Sequence, residues 1–376
     1  MKCLVKTVVV FILLSAAAAQ NAANPKRLWS VDLSKDSDFQ TRLKASETVL
    51  RPPTLDFVSN EQIIVSFDDN VPTMDMPIMN PFGFHVLQVS SDSGKVGKRL
   101  LFEVLNDTSQ AVPTSSGGFV VLAGEKLQKY SNTFEKGLGI PTPLNLHGQP
   151  TKMIFTDRVF FNPHYEMWQV DVAPSGQQLV LTHRETPKQM EISWVRSSDF
   201  TVVATQKVKP SRYVSGGDDS ALLWDLKSRV TSDGKQTPFC VGSVQCWRAY
   251  FVTDDLLLLD EGKQYEIVTL GGKRLAGGHL NVNISQFSRS MNAPRFAYAT
   301  GHYKGSGFPI QTQFAPEMRV GIFDWGRMKQ VAEISFAKPE QPVMTGFRQS
   351  AIALSHDGRS VAVLIDSVLS LYQLPE

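Results

Sequence analysis

The side chains that most often carry out chemistry are scattered along this sequence. The chain has seven histidines, and His85, His164, His183 and His302 lack a second ligand at the spacing of a metal site. No G-x-S-x-G, phosphate-cradling loop, H-E-x-x-H or C-x-x-C segment occurs. We therefore predict that these histidines are ordinary surface or turn residues. We assign no catalytic residue, no cofactor and no metal site.

Adjacent acidic residues are the second feature with chemical potential. They lie at Asp68-Asp69, Asp218-Asp219, Asp254-Asp255 and Asp260-Glu261. Such pairs could bind calcium or act in acid–base catalysis. Each pair borders a short apolar run, and Asp favours turn conformations. We favour the turn interpretation and expect the pairs at equivalent turns between strands.

Two of the three cysteines lie close together in the chain. Beyond Cys3, only Cys240 and Cys246 occur, in the segment CVGSVQC. In an exported protein two nearby cysteines predict a disulfide, although two reduced thiols are the alternative. Two ligands without an adjacent histidine do not make a zinc site.

The N-terminal segment has the composition of a secretory signal. Lys2 and Lys6 precede an apolar run from Val8, and small residues follow up to Ala19. The apolar run is shorter than the roughly 20 residues of a membrane-spanning helix, so cleavage is favoured over anchoring. We predict a signal peptide over residues 1–19 and a secreted or periplasmic protein without stable membrane insertion.

Charge and composition exclude some partner classes. Loss of Lys2 and Lys6 would balance the basic residues against the 36 acidic ones. No basic stripe stands out, so nucleic acid is not an expected partner. We expect a monomer with a protein or glycan partner.

The rest of the chain is patterned as short strands. Runs of Val, Ile, Leu, Phe and Tyr alternate with Gly, Asp, Asn, Ser and Pro, which is typical of antiparallel strands. Only residues 35–47 indicate a turn or two of helix. No long linker divides the chain. We predict one all-β domain over residues 54–376, preceded by a closing strand and linker over 20–53.

Internal repetition is the most informative pattern. Seven units of about 45–50 residues, the size of a four-stranded propeller blade, can be aligned. Their recognisable segments lie within residues 54–104, 115–131 (the middle of the second unit), 167–208, 213–228 (part of the fourth unit), 247–278, 295–336 and 350–374. The seventh unit has only three strands. The segment KRLWSVDLS (Lys26 to Ser34) can supply the fourth and close the ring, which removes an open sheet edge.

These units resemble the seven-bladed β-propellers of the WD-repeat and YVTN-type superfamily. The segment LSHDGRSVAVLIDSVLSLYQL, with its turn at Asp357-Gly358, is similar to the strand-turn-strand of those repeats, and VAPSGQQLVL repeats it. The Gly-His and Trp-Asp dipeptides of true WD repeats are not regular in this chain. The resemblance implies a closed ring of seven four-stranded antiparallel blades.

One segment, YVSGGDDSALLWDLKS (Tyr213 to Ser228), allows two strand registers. As a WD repeat, Ala221 to Trp224 would form the third strand of a blade. Aligned with YFVTDDLLLL, the same segment forms a first strand, a turn and a second strand. We prefer the second register, because it leaves RVTSDGKQTPFCV for the remaining strands.

Three long segments interrupt the repeats: 71–83, 138–166 and 304–317. In a propeller all three would join one face, and loops this long are uncommon unless they are functional or disordered. They carry exposed-type Met and aromatic residues that suit an adaptable contact surface. The candidate binding residues are Met74, Met76, Met79, Phe82, Phe160, Phe161, Tyr165, Phe308 and Phe314. An alternative is that they fold down as a hydrophobic plug over the channel mouth.

Fold does not fix function, since propellers host both binders and enzymes. The sequence predicts an exported binding or scaffold module. The alternative is a propeller enzyme, either a lactonase-like hydrolase or a quinone-dependent dehydrogenase. That alternative requires His, Arg and acidic residues gathered from many blades, and spacing alone does not reveal such a cluster.

Overall fold

The chain folds as a ring of seven sheets. A computed structural model describes residues 24–44, 53–69, 82–104, 109–123, 126–141, 168–186, 188–211, 214–239, 246, 248–280, 283–300, 318–336 and 350–376. Within these ranges 28 strands form seven four-stranded antiparallel sheets. The predicted seven-bladed β-propeller is confirmed.

The first four blades each run in order from the innermost to the outermost strand. Blade 1 contains β2 (Thr54–Phe57), β3 (Gln62–Asp68), β4 (Phe82–Ser90) and β5 (Val96–Val104). Blade 2 contains β6 (Ser109–Pro113), β7 (Phe119–Ala123), β8 (Lys126–Tyr130) and β9 (Lys136–Pro141). Blade 3 contains β10 (Trp168–Val172), β11 (Gln178–Thr186), β12 (Gln189–Arg196) and β13 (Val202–Val208). Blade 4 contains β14 (Val214–Gly216), β15 (Ser220–Leu223), β16 (Ser228–Thr231) and β17 (Gln236–Pro238).

The remaining blades follow the same order. Blade 5 contains β18 (Arg248–Phe251), β19 (Leu256–Asp260), β20 (Gln264–Thr269) and β21 (Arg274–His279). Blade 6 contains β22 (Ile284–Arg289), β23 (Arg295–Thr300), β24 (Met318–Asp324) and β25 (Lys329–Phe336). Blade 7 contains β26 (Ser350–Leu354), β27 (Ser360–Ile365), β28 (Val368–Gln373) and, as its outermost strand, β1 (Lys26–Asp32).

Blade 7 therefore joins the two ends of the described chain, as predicted. After β1 comes a 3-10 turn (Leu33–Lys35) and the helix α1 (Ser37–Lys44), which corresponds to the predicted helical turns. Leu33 and Phe39 are buried in the core between blades 7 and 1. Among the described residues no helix has the length and hydropathy needed to cross a bilayer.

The apolar core lies between neighbouring blades. Side chains alternate between the two faces of a strand, so each blade packs on both sides. Ile64 and Val86 of blade 1, for example, share a buried cluster with Phe119 and Val121 of blade 2. Six further clusters fill the other junctions. Because no blade buries either face alone, the core is complete only when the ring is closed.

The register of blade 4 is settled by its strand pairing. β14 and β15 are its first and second strands, and Gly216 pairs with Ala221 across the turn between them. The preferred register for residues 213–228 is thus confirmed. Trp224 and Asp225 lie in the turn after β15, so the Trp-Asp match is accidental.

The connections alternate between two faces of the ring because consecutive strands are antiparallel. We call the face with the turns between first and second strands, and between third and fourth strands, the turn face. We call the opposite face, which carries the second-to-third-strand and blade-to-blade connections, the long-loop face. Turns on the turn face are tight. Gly176 and Gly358 have φ angles of 68° and 66° there, in the left-handed region that favours glycine.

Candidate functional site in the central channel

The predicted binding-face residues fall almost entirely outside the described part of the chain. This holds for Met74, Met76, Met79, Phe160, Phe161, Tyr165, Phe308 and Phe314. Phe82 is the first residue of β4, and residues 138–141 belong to β9, so neither is part of a loop. The strands that precede the three long segments, β3, β9 and β23, all end on the long-loop face. The assignment of the binding residues themselves stays a prediction.

The structure describes only one of the two cysteines predicted to form a disulfide. Cys246 is buried in the core between blades 4 and 5. Cys240 lies outside the described residues, and the Cys240–Cys246 disulfide stays a prediction.

The surface assignment of the histidines is wrong wherever the structure describes them. His85 and His183 are buried within β4 and β11. His85 Nε2 lies 3.0 Å from Asp69 Oδ2, and its ring stacks on Phe67. His164 and His302 lie outside the described residues. In the described ranges no three His, Cys, Asp or Glu side chains are grouped as metal ligands.

The acidic pairs do not share one position, contrary to the prediction. Asp218-Asp219 and Asp254-Asp255 lie in the first turns of blades 4 and 5, on the turn face. Asp68 and Asp260 end the second strands of blades 1 and 5, on the opposite face, and both are buried.

These buried carboxylates connect neighbouring blades. Asp68 Oδ1 accepts a hydrogen bond from Ser109 Oγ of blade 2 (3.2 Å). Asp260 Oδ2 accepts one from the backbone N–H of Ile284 of blade 6 (2.9 Å). Their role is therefore inter-blade bonding as well as turn formation.

On the turn face, two aspartates link blades 3, 4 and 5 in series. Asp218 accepts hydrogen bonds from the backbone N–H of Ser175 (3.1 Å) and from Ser175 Oγ. Asp254 Oδ1 accepts from the backbone N–H of Asp218 (3.0 Å). Each of blades 4 and 5 thus presents a carboxylate to the turn of the blade before it.

The innermost strands contribute three further charged groups to the channel. They are Asp56 of β2, Asp171 of β10 and Arg289 of β22, each partly exposed. The Arg289 guanidinium donates to the carbonyl oxygens of Phe251 of blade 5 (3.0 Å) and Val172 of blade 3. Blades 6 and 3 are not neighbours, so Arg289 reaches across the channel.

Asp171 and Asp56 differ in their hydrogen bonds. The Asp171 carboxylate accepts from the backbone N–H groups of Gly216 (2.7 Å) and Val172 (2.8 Å). Asp56 accepts no side-chain or backbone hydrogen bond from the described residues. Burial, and then the negative charge of Asp171, raise the pKa of Asp56 to about 8. Asp56 is therefore largely protonated at neutral pH.

The other members of the group are perturbed by the same causes. Burial raises the pKa of Asp171, while the charge of Arg289 and the two backbone donors oppose the rise. Burial, followed by a side-chain hydrogen bond with Asp218, raises the pKa of Asp254 to about 7. Burial lowers the pKa of Arg289, and the charges of Asp171, Asp218 and Asp254 oppose this.

We call these five groups the channel cluster: Asp56, Asp171, Asp218, Asp254 and Arg289. It contains four carboxyl groups and one guanidinium, and each of the five residues comes from a different blade. Carboxyl groups with pKa values near neutrality can exchange protons at physiological pH, and such groups in a cleft are candidates for a functional site.

Sequence reasoning misses most of this cluster because no two of its members are close in the chain. The propeller brings together single residues from three innermost strands and from the first turns of two other blades. A local signal does exist for two of them. Asp56 in LDF and Asp171 in VDV each interrupt an apolar strand segment, and a charged residue there is unusual. Two innermost strands, β6 and β22, are themselves not predicted from the sequence.

Comparison with known proteins finds similar folds among solved structures. No protein-family model matches the chain, and no curated protein matches it significantly. A chain from the crystal structure of the mitotic checkpoint complex is similar at 12% identity, covering 94% of this chain and 96% of that chain, with a TM-score of 0.48. The C-terminal WD40 domain of Sif2 is similar at 10% identity, covering 94% and 99%, with a TM-score of 0.47.

A third solved structure has the same extent of overlap. The WD40 domain of Neurospora crassa Pan2 is similar at 9% identity, covering 95% of this chain and 97% of that domain, with a TM-score of 0.42. At such identities the likeness concerns the fold alone. The chain is a seven-bladed β-propeller with WD40-type structural neighbours.

Proposed function

We propose that this chain is an exported propeller that acts as a protein-binding scaffold, with its contact surface on the long-loop face. One observation carries the proposal: β3, β9 and β23, which precede the three Met- and aromatic-containing segments, all end on that face. Met and aromatic side chains are favoured where a surface adapts to a protein partner. A glycan partner is the alternative within the same class.

The opposite face supports the same assignment. Its turns are bonded to one another around the ring. His356 Nε2 lies 2.8 Å from the carbonyl oxygen of Phe57, and the backbone N–H of Asp357 donates to Asn60 Oδ1 (3.1 Å). Backbone donors and acceptors used within the ring are not free to bind a partner. The turn face thus stabilises the ring by hydrogen bonds between neighbouring blades.

The test is photo-crosslinking with the full chain in the extracytoplasmic fraction of its source. A photoreactive phenylalanine analogue would replace Met76 or Phe308, in the segments that follow β3 and β23 in the chain. The matched control carries the same analogue at Ser116, an exposed residue of a blade 2 turn on the turn face. We expect discrete protein adducts from the two loop positions and none from Ser116.

Two results would overturn the assignment. Adducts from Ser116 alone would move the binding surface to the turn face. Equal adducts from all three positions would indicate nonspecific contact. Crosslinking that depends on added glycan would favour the glycan alternative.

The second candidate is an enzyme, a lactonase-like hydrolase or a quinone-dependent dehydrogenase. The observation that favours it is the channel cluster, where Asp56 could act as an acid beside the Asp171 carboxylate. Turnover of lactones, or reduction of a dye through an added quinone, should then be lost in Asp56→Asn. The exposed residue Asp255 provides the matched control, Asp255→Asn. No turnover by the wild-type chain on either panel would exclude these two activities.

A further inference from the structure

His85 is a buried histidine that lies between two carboxylates from different parts of the chain. Its Nε2 atom is 3.0 Å from Asp69 Oδ2, and its Nδ1 atom is 3.7 Å from Asp38 Oδ2. Asp69 follows β3, whereas Asp38 belongs to α1. The ring stacks on Phe67, which fixes its plane. The imidazole therefore connects blade 1 to α1.

The two carboxylates favour a particular number of protons on this ring. A neutral imidazole has one N–H group, and its second nitrogen presents a lone pair. With carboxylate oxygens near both nitrogens, a neutral ring places that lone pair towards one of them. An imidazolium has an N–H group on each nitrogen. The geometry is thus complementary to doubly protonated His85.

The charges around His85 favour the same form. Among the described residues, the groups that face it or its partners are Asp36 and Asp38 beside and within α1, Asp69 after β3, and Arg99 of β5. Arg99 lies 2.6 Å from Asp36 Oδ2 and 3.1 Å from Asp38 Oδ2. Three carboxylates beside one guanidinium leave an excess of negative charge, and nearby opposite charge stabilises the protonated imidazole.

The helix that His85 contacts lies at the long-loop face. Strand β1 is antiparallel to β28, and its last residue, Asp32, pairs with Val368. The backbone N–H of Leu33 donates to the carbonyl oxygen of Ser367 (2.8 Å), in the connection between the second and third strands of blade 7. Since such connections lie on the long-loop face, α1, which starts at Ser37, begins there as well.

Apolar contacts hold the helix at the same place. Phe39 of α1 is buried, and its ring meets the Phe67 ring edge-on at 4.9 Å. The other contact of Phe67 is the stacked ring of His85 at 5.0 Å. Loss of a proton from His85 leaves the Phe39 and Arg99 contacts in place. We therefore expect α1 to open more often, rather than the whole ring to unfold.

We propose that His85 is a proton-dependent latch for α1. With two protons on its ring, it attracts both Asp38 and Asp69 and keeps α1 on blade 1. When one proton is lost as the pH rises, α1 opens more often at the edge of the long-loop face. The latch does not depend on what that face binds.

The direction of the pH effect follows from linkage. The docked helix favours a proton on His85 that the open helix releases more readily, so docking weakens as pH rises through the range in which histidine titrates, about pH 6.5. Near pH 4 and below, the aspartates themselves take up protons, and the attraction is lost again. The helix should be held most firmly between about pH 4 and pH 6.

Amide hydrogen exchange of the full chain at pH 5.5 and pH 8 tests the latch. The reporter is the backbone N–H of Gln40 in α1, which donates to the carbonyl oxygen of Asp36 (2.8 Å). After correction for intrinsic exchange, we expect its protection to fall about threefold to tenfold, since release of one proton changes an equilibrium constant by up to about tenfold per pH unit. Protection in β7, whose blade contains no histidine in its described ranges, should not change.

The test variant is His85→Gln, which keeps a hydrogen-bonding side chain but cannot ionise. Its Gln40 protection should be the same at both pH values. The matched control is His279→Gln, which removes an exposed histidine at the end of β21 and should lose protection as the wild type does.

Three results would overturn the latch. The first is constant protection of Gln40 in the wild type, a measurement that does not depend on any variant folding. The second is an equal loss of protection in β7, because the pH would then act on the whole ring. The third is a His85→Gln variant that loses protection as the wild type does, because another titrating group would then be responsible.

Discussion

Two groups of charged side chains in this ring are both rich in aspartate, yet their charges are balanced differently. The ring-closing cluster joins α1 to blade 1 and consists of Asp36, Asp38, Asp69, His85 and Arg99. The channel cluster lies on innermost strands and first turns of five blades. The first has a cationic or protonatable partner beside each carboxylate. The second has one guanidinium for four carboxyl groups.

The ring-closing cluster is held by short contacts. Arg99 Nη2 lies 2.6 Å from Asp36 Oδ2, and Arg99 Nη1 lies 3.1 Å from Asp38 Oδ2. His85 lies between Asp69 (3.0 Å) and Asp38 (3.7 Å). Gly83 N–H also donates to Asp69 (2.8 Å). A Cβ atom at Gly83 would collide with the Asp69 carboxylate, so this bond requires glycine.

The difference appears in the pKa values of two aspartates. Burial alone would raise the pKa of Asp69, but hydrogen bonds from His85 and Gly83 and the charge of His85 together lower it. Burial and the charge of Asp171 raise the pKa of Asp56 to about 8. The donors and the charge beside Asp69 therefore outweigh the effect of its burial, whereas Asp56 has no hydrogen-bond donor among the described residues to oppose the effect of burial.

The largest expected effect comes from removing the only cation of the channel cluster. Arg289→Met keeps much of the side-chain volume but leaves Asp171 facing Asp56 without a positive charge. The variant also loses the hydrogen bonds from the guanidinium to the carbonyl oxygens of Phe251 and Val172. Hydrogen bonds from a charged group contribute about 1.5–3 kcal/mol each, and partial exposure of Arg289 favours the lower figure, so we expect a loss of about 3 kcal/mol. Urea unfolding at pH 7 measures the loss.

The pH dependence of this loss separates charge from packing. The loss should grow from pH 5 to pH 8, because more of the channel carboxyl groups ionise. A loss that is the same at both pH values would mean that Arg289 acts through packing and its two carbonyl contacts rather than through charge.

The next effect concerns the ring-closing cluster. Asp36 is buried and accepts hydrogen bonds from the backbone N–H groups of Asp38 and Phe39 at the start of α1. Asp36→Ala removes this cap and the contact with Arg99, at an expected cost of about 2 kcal/mol. Thermal unfolding measures it. Asp36→Asn, which keeps a capping oxygen but not the charge, should lose less. Equal losses would assign the whole effect to the ion pair.

The two clusters also differ in how far the sequence predicts them. The ring closure is predictable because the seventh unit lacks one strand and KRLWSVDLS is strand-like and otherwise unpaired. Turns such as Asp357-Gly358 are local signals as well. The helix and its apolar residue Phe39 lie in the one segment with helical character. None of this requires knowledge of distant contacts.

The channel cluster is not predictable in the same way. Its geometry depends on which side chains of the innermost strands and first turns point into the channel, and innermost strands of three to six residues do not reveal that. His85 illustrates the same limit, since a lone histidine in FHVLQV has no local sign of its contacts with Asp69 and Asp38. The opposite holds for the three long segments 71–83, 138–166 and 304–317. The sequence shows their Met and aromatic composition, but most of their residues lie outside the described part of the chain.

A smaller effect concerns the pH dependence of stability, which should have opposite signs for Asp69 of the ring-closing cluster and Asp56 of the channel cluster. Asp69→Asn removes a carboxylate whose pKa is lowered by folding. That group stabilises the fold above its ordinary value of 3.8, and its contribution is lost as pH falls below that value. Asp56→Asn removes a group whose pKa is raised, so the wild type should lose stability relative to this variant between about pH 4 and pH 8.

Melting temperatures across pH 3–9 check both signs in one experiment. The Asp69→Asn curve should approach the wild-type curve at the acid end. The Asp56→Asn curve should separate from it, in the stabilising direction, at the alkaline end. If the melting temperatures of both variants change with pH as that of the wild type does, the two aspartates do not differ in how folding shifts their pKa values.

The smallest expected effect tests whether pairing or burial matters. Arg196 Nη1 and Asp199 Oδ2 are 2.9 Å apart, as close as the pairs of the ring-closing cluster, but both side chains are about half exposed, at 52% and 48%. Solvent-exposed pairs contribute little to stability. Arg196→Ala should therefore lower stability less than any of the changes above, and the loss should shrink at 1 M salt, where surface charges are screened. A loss comparable with that of Arg289→Met would mean that the closeness of two opposite charges, rather than the number of cations beside the carboxyl groups, sets the energies of both clusters.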